Sequence, residues 1–122
     1  MDKWQALQTF WSSFGLKAYD ENTVSASAVM PYITYEAATG AIEDNVLLAA
    51  SLWYRSTSWA DISKKADEIA REIGLGGAVV PYDGGALWIK KGAPFSQRMS
   101  EPNDDGVRRM YLNIQAEFIS EY

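Results

Sequence analysis

Residues 45–74 read NVLLAASLWYRSTSWADISKKADEIAREIG, and the reading of this stretch decides the fold. Val46 to Tyr54 is a short apolar run ending in Trp53-Tyr54. Its length and its aromatic end predict a buried strand. Ser56-Thr57-Ser58 then marks a turn. Ser58 is placed to cap a helix, with Asp61 three residues on as a short-armed capping box. Within the helix Trp59, Ile62, Ala66, Ile69 and Ile73 recur at spacings of three and four, which puts them on one face. Lys64, Lys65, Asp67, Glu68, Arg71 and Glu72 take the other faces, and Gly74 ends the helix. A strand running directly into an amphipathic helix builds a layer of helix on sheet.

Outward from this unit, Asp2 to Phe14 predicts the first helix. Asp2 caps it with Gln5 at the reciprocal position, and Gly15 closes it. Trp4, Leu7, Trp11 and Phe14 form its apolar stripe. Leu16 to Ser27 reads as polar and irregular. Pro31 to Tyr35 predicts a strand opening on a proline, where the missing N–H costs least. Ala37 to Asn45 is a loop that joins it to the central strand as a wide antiparallel hairpin.

Beyond Gly74 comes a second hairpin. Ala78–Tyr82 and Ala86–Lys91 are its arms, and Asp83-Gly84-Gly85 is its turn. Pro81 makes the first arm an edge strand or a bulged one. Gly92 to Gly106, GAPFSQRMSEPNDDG, reads as one long irregular loop, a length that is usually functional. The final strand is the cleanest signal. Met110, Leu112, Ile114, Ala116 and Phe118 alternate with Tyr111, Asn113, Gln115 and Glu117, a strict period of two. The order α-β-β-α-β-β-β predicts a single α+β domain over residues 1–122. Its two layers are a mostly antiparallel sheet of about five strands and two helices on one face.

Composition narrows the function. The 122 residues include no cysteine and no histidine. Thiolate chemistry and Cys-ligated metal sites are excluded, and so is the commonest general base. Ser56, Ser58 and Ser63 have no base partner of the usual kind. Gly74, Gly76 and Gly77 follow a helix instead of preceding one, the wrong side for a phosphate cradle. Lys90-Lys91 reads as a solvated pair. No catalytic residue and no cofactor is expected. Sixteen acidic against eleven basic side chains give a net charge of −5, unfavourable for tight DNA binding. No run is apolar enough to span a bilayer, and the amphipathic N-terminus is unlike a signal peptide, so an intracellular protein is expected. Sixteen aromatic residues (five Trp, seven Tyr and four Phe) are a generous supply for this size, and some of the rings are expected at an interface instead of in the core.

Within the long loop, Phe95, Arg98, Met99, Glu101, Asp104 and Asp105 are the candidate subunit-interface residues. They combine apolar groups with both signs of charge. The carboxylates of Glu101, Asp104 and Asp105 also admit two other readings. One is a small metal- or ligand-binding site, although the ordered spacing of a calcium loop is missing. The other is ion pairing with Arg98, Arg108 or Arg109.

The succession PYITYEA, LWYRSTSW, ADISKKADEIAREIG and PYDGGALWIKKGAPFSQRM, followed by a polar-faced last strand, resembles the tail terminator or head–tail joining proteins of long-tailed bacteriophages and prophages. This group is also described as tail completion or minor capsid proteins. The resemblance runs from Trp4 to about Glu121. It implies a structural virion-assembly protein that forms a homo-oligomeric ring, often six-fold. Such a ring caps the tail tube and meets the connector, and DNA passes through it without being held. It also implies a location in the host cytoplasm during assembly and in the virion neck or tail afterwards.

Overall fold

The computed structural model describes residues 1–122. It is an α+β fold of two helices and one six-stranded sheet. The elements in chain order are α1 (Lys3–Ser12), β1 (Lys17–Asp20), β2 (Tyr32–Tyr35), β3 (Val46–Arg55), α2 (Ala60–Ile73), β4 (Ala78–Tyr82), β5 (Gly85–Met99) and β6 (Val107–Ser120). The sheet order is β1-β2-β3-β6-β5-β4. Only the β1–β2 pairing is parallel.

The helix starts follow local hydrogen bonding. Asp2 accepts from the Gln5 N–H at 2.8 Å, and the Gln5 side chain accepts from the Asp2 N–H at 2.8 Å. The reciprocal capping box read from the sequence is therefore present. The expected cap of α2 is not. The N-cap residue is Trp59, with no side-chain cap. Ser58 Oγ instead accepts from the Ala60 N–H at 3.1 Å. The serine thus closes a local turn one residue before the helix.

One apolar core joins both helices to one face of the sheet. From α2 it takes Ile62, Ala66, Ile69 and Ile73, and from β6 Met110, Leu112, Ile114, Ala116 and Phe118. Both sets were legible as periodic stripes. From α1 it takes Ala6, Leu7, Phe10, Trp11 and Phe14. Trp4 does not join them. It is 49% exposed, while Phe10 takes the inner position beside Trp11 at a ring separation of 4.8 Å. Lys65 of α2 donates to the Phe14 carbonyl at 2.7 Å and ties the two helices together.

Three strand expectations are corrected. The sheet has six strands, not about five. The extra one is β1, inside the stretch read as irregular. It is held by parallel pairing to β2 and by Gln8 of α1. The third correction concerns Gly92–Gly106, which is not one loop. Strand β5 runs on to Met99, and the true connection is only the short segment from Ser100 to Gly106. What interrupts β5 is a bulge. Lys91 pairs with Ile114 and Ser96 with Leu112, so residues 92–95 face the single residue Asn113. Asn113 Nδ2 donates to the Pro94 carbonyl at 3.0 Å and closes the bulge. Gly92 sits so close to Asn113 that an added Cβ would lie 2.9 Å from its carbonyl oxygen.

Two tyrosines predict the alkaline behaviour of this core. Burial raises the Tyr35 hydroxyl above its ordinary value, with a smaller push from Asp20. Burial likewise raises Tyr54, helped by Asp61 and Glu68. A group held protonated in the folded state stabilises fully below its unfolded pKa. That contribution is lost as pH rises through the folded value. Stability should therefore decline above about pH 10. Urea midpoints measured across this range should fall, and the fall should be smaller in Tyr35→Phe.

Candidate assembly surface

In antiparallel pairs, directly opposed residues share a face, and alternate residues along a strand change face. With Leu52, Leu112 and Ile33 in the core, the other face carries a row set by the register. Lys17 lies opposite Tyr32, Tyr32 opposite Trp53, Trp53 opposite Arg109 and Arg109 opposite Met99. The next row has Tyr19, Thr34, Ser51, Tyr111 and Gln97. Neither helix packs on this side.

The side chains of these rows interlock. Tyr19 and Tyr32 meet edge-on at 5.6 Å, and Tyr32 lies 6.4 Å from Trp53. The Arg109 guanidinium stands 4.6 Å from the Trp53 ring and 5.1 Å from the Tyr111 ring. It donates through Nε to Ser51 Oγ at 3.1 Å and pairs with Glu101 at 3.5 Å. Trp53 Nε1 donates to Thr34 Oγ1 at 2.9 Å. The polar tips of Arg109, Trp53, Thr34 and Ser51 are held by these contacts, which orders the centre of the surface before any partner arrives. Farther along, the face is mixed, with exposed apolar side chains beside Gln115, Lys90 and Glu117. Leu47 is 70% exposed and Val79 62%.

The six candidate residues do not form one cluster. Phe95 lies in the bulge and packs against the core. Arg98 points to the helix side, with its guanidinium 4.9 Å from the Trp59 ring. Met99 is opposite Arg109 on the uncovered face. Glu101 pairs with Arg109, and Asp104 with Arg55 at 3.4 Å. Asp105 uses its backbone carbonyl to accept from Arg108. The ion-pair reading of the carboxylates thus describes Glu101 and Asp104. The Asp104 carboxyl is held below its ordinary pKa by the Gly106 N–H first and by Arg55 second. No group of three acidic side chains converges to hold a metal ion. Glu101 and Asp104 are tied to their own domain by these ion pairs, and residues up to Met99 belong to β5 where the sequence predicts a loop.

No family model and no curated protein matches the chain.

Sequence reasoning missed the Trp53–Arg109 row. Each residue was visible alone, but the pairing depends on a register between strands far apart in the chain. The only available signal was the alternation of β6, which assigns Tyr111 and Arg109 to the same polar face.

The sheet edges are both blunted. At β1, Gln8 Nε2 donates to the outward Ala18 carbonyl at 3.0 Å, and its carbonyl end accepts from the Tyr35 hydroxyl. At β4, Pro81 sits on the outer strand and offers no N–H. Strand addition from another chain is disfavoured at either edge. No helix is long and apolar enough to cross a membrane.

Proposed function

We propose that the protein is a structural assembly subunit of the tail-terminator or head–tail joining type. Copies form a closed ring, six-fold in the pattern that the resemblance implies. The ring caps a phage tail tube and joins it to the connector. It assembles in the host cytoplasm and then resides in the virion.

The observation that carries this reading is the uncovered sheet face. Its composition of Trp, Tyr and Arg is the one that dominates the energetics of protein contacts. The contacts that hold Trp53 and Arg109 at its centre lower the entropic cost of docking there. With the edges blunted, a partner meets the sheet face-on. The acidic balance of the chain fits the passage of DNA, because net negative charge repels phosphate and does not retain it.

Sedimentation of the purified protein over a range of concentrations tests the reading, together with negative-stain imaging. A ring-sized species is expected, either alone or on addition of tail tubes. A strict monomer at high concentration that ignores tube ends would remove it.

A further inference from the structure

Two features at opposite ends of β3 stand outside the contacts described so far. At the Arg55 end, Trp59 carries two guanidiniums, Arg98 at 4.9 Å and Arg108 at 5.4 Å from its ring. Neither is in an ion pair; the four ion pairs of the molecule use other cations. Arg108 is held by three backbone carbonyls, those of Asp105, Val107 and Thr57. Arg98 is exposed. This is a positive socket floored by an indole, in a chain with an excess of carboxylates. The acidic groups nearest in sequence and register, Asp61 and Asp105, leave both cations unpaired.

At the Val46 end, the β2–β3 loop closes in a tight turn, with the Asp44 N–H donating to the Ala41 carbonyl at 3.1 Å. Its tip presents Ile42, 54% exposed, with Glu43 and Asp44 beside it. Neither carboxylate has a cation partner.

We propose that the Ile42-Glu43-Asp44 tip of one copy enters the Trp59/Arg98/Arg108 socket of the next. The isoleucine packs beside the half-buried indole, and the carboxylates meet the exposed Arg98 guanidinium in the positive field to which the carbonyl-held Arg108 adds. Charge is complementary between the two ends and not within either one. A contact between unlike patches is heterologous, and repeated use closes a ring or grows a filament. The patches are separated by the ten residues of β3, roughly 30 Å at strand rise. Each added copy therefore advances along the strand direction and leaves the uncovered sheet face free for other partners. This inference rests on the ring-forming reading and names its subunit contact.

The absence of native cysteine allows a clean test. Ala41→Cys reports the tip and Ala60→Cys the socket, both at exposed positions. Under mild oxidation, a disulfide dimer should form when the two variants are mixed, and far less with either alone. Glu43→Lys/Asp44→Lys in the tip partner should cut the yield at least about tenfold, as should Arg98→Glu in the socket partner. Combining the two reversals should restore it. Circular dichroism confirms that each variant is folded. Equal cross-linking with and without charge reversal would overturn the contact. So would a ring that survives either reversal alone, although that result would leave the ring-forming reading standing. A wild type that does not assemble, together with a cysteine pair that does not cross-link, would refute both. Cross-linked filaments would support the contact and refute ring closure.

Discussion

Trp11→Ala should lower the free energy of unfolding by about 3–5 kcal/mol, the range for removing a large buried aromatic. Trp11 is the largest fully buried side chain, at 0% exposure. It anchors α1 to the sheet between Phe10 and the rest of the core. Folded domains are stable by only about 5–15 kcal/mol, so a large fraction of the margin disappears. Urea unfolding should show a lower midpoint at unchanged slope. A loss under about 1 kcal/mol would mean that α1 does not depend on this ring. The indole N–H has no hydrogen-bond partner in the core. Trp11→Phe, which removes that unpaired donor while keeping an aromatic, should therefore cost much less than Trp11→Ala.

Ile69→Ala is the second large effect, about 2–5 kcal/mol. Ile69 is 0% exposed and lies at the middle of the α2 stripe between Ile62 and Ile73. Truncation leaves a void between helix and sheet that neighbouring branched side chains cannot refill. The same substitution at exposed Leu75, just past the helix, is the control and should change stability by less than about 0.5 kcal/mol. A neutral Ile69→Ala would break the helix-on-sheet packing derived from the periodicity.

These two sites also mark how far the sequence could be read. Ile69 followed directly from spacing, since α2 is long, strongly two-faced and free of competing signals. The same holds for β6, whose alternation matches the observed burial from Met110 to Phe118. In α1 the periodicity identified Trp11 but also enlisted Trp4. A tryptophan counts as apolar in any stripe, yet Trp4 lies in the first turn, where the helix meets solvent. Strand β1 was invisible because four residues, KAYD, carry one buried side chain, Ala18, and no alternation strong enough to register. Its pairing is decided by β2 and by Gln8, which are tertiary facts. The far half of β5 was hidden by Gly92 and Pro94. Both punctuate a strand locally, yet a bulge accommodates them without ending it.

For the candidate residues, the sequence named the charges but not all of the partners they meet in the fold. Glu101 and Asp104 were recognisable as charges that need partners, and Arg109 was among the partners considered. Arg55 was not, because it lies at the end of a strand remote in the chain. The aromatic row required the β2–β3–β6 register, in which Tyr32, Trp53 and Arg109 come into line. Composition had only suggested that some of the aromatic rings lie at an interface.

The position of β6 governs how a nascent copy matures. It is the last of the six strands to leave the ribosome, yet it lies between β3 and β5. Until it arrives, β1-β2-β3 and β4-β5 are two separate pieces of sheet, each with an unpaired inner seam, linked only through the helices. Loop closure over such distances slows folding. Half-made chains with exposed seams are the species most prone to mispair with one another. Completion of β6 closes both seams at once, because its ladders to β3 and β5 form on opposite sides of the same strand. The subunit should therefore acquire its structure in one late step. The sheet surfaces are then complete only once β6 is in place.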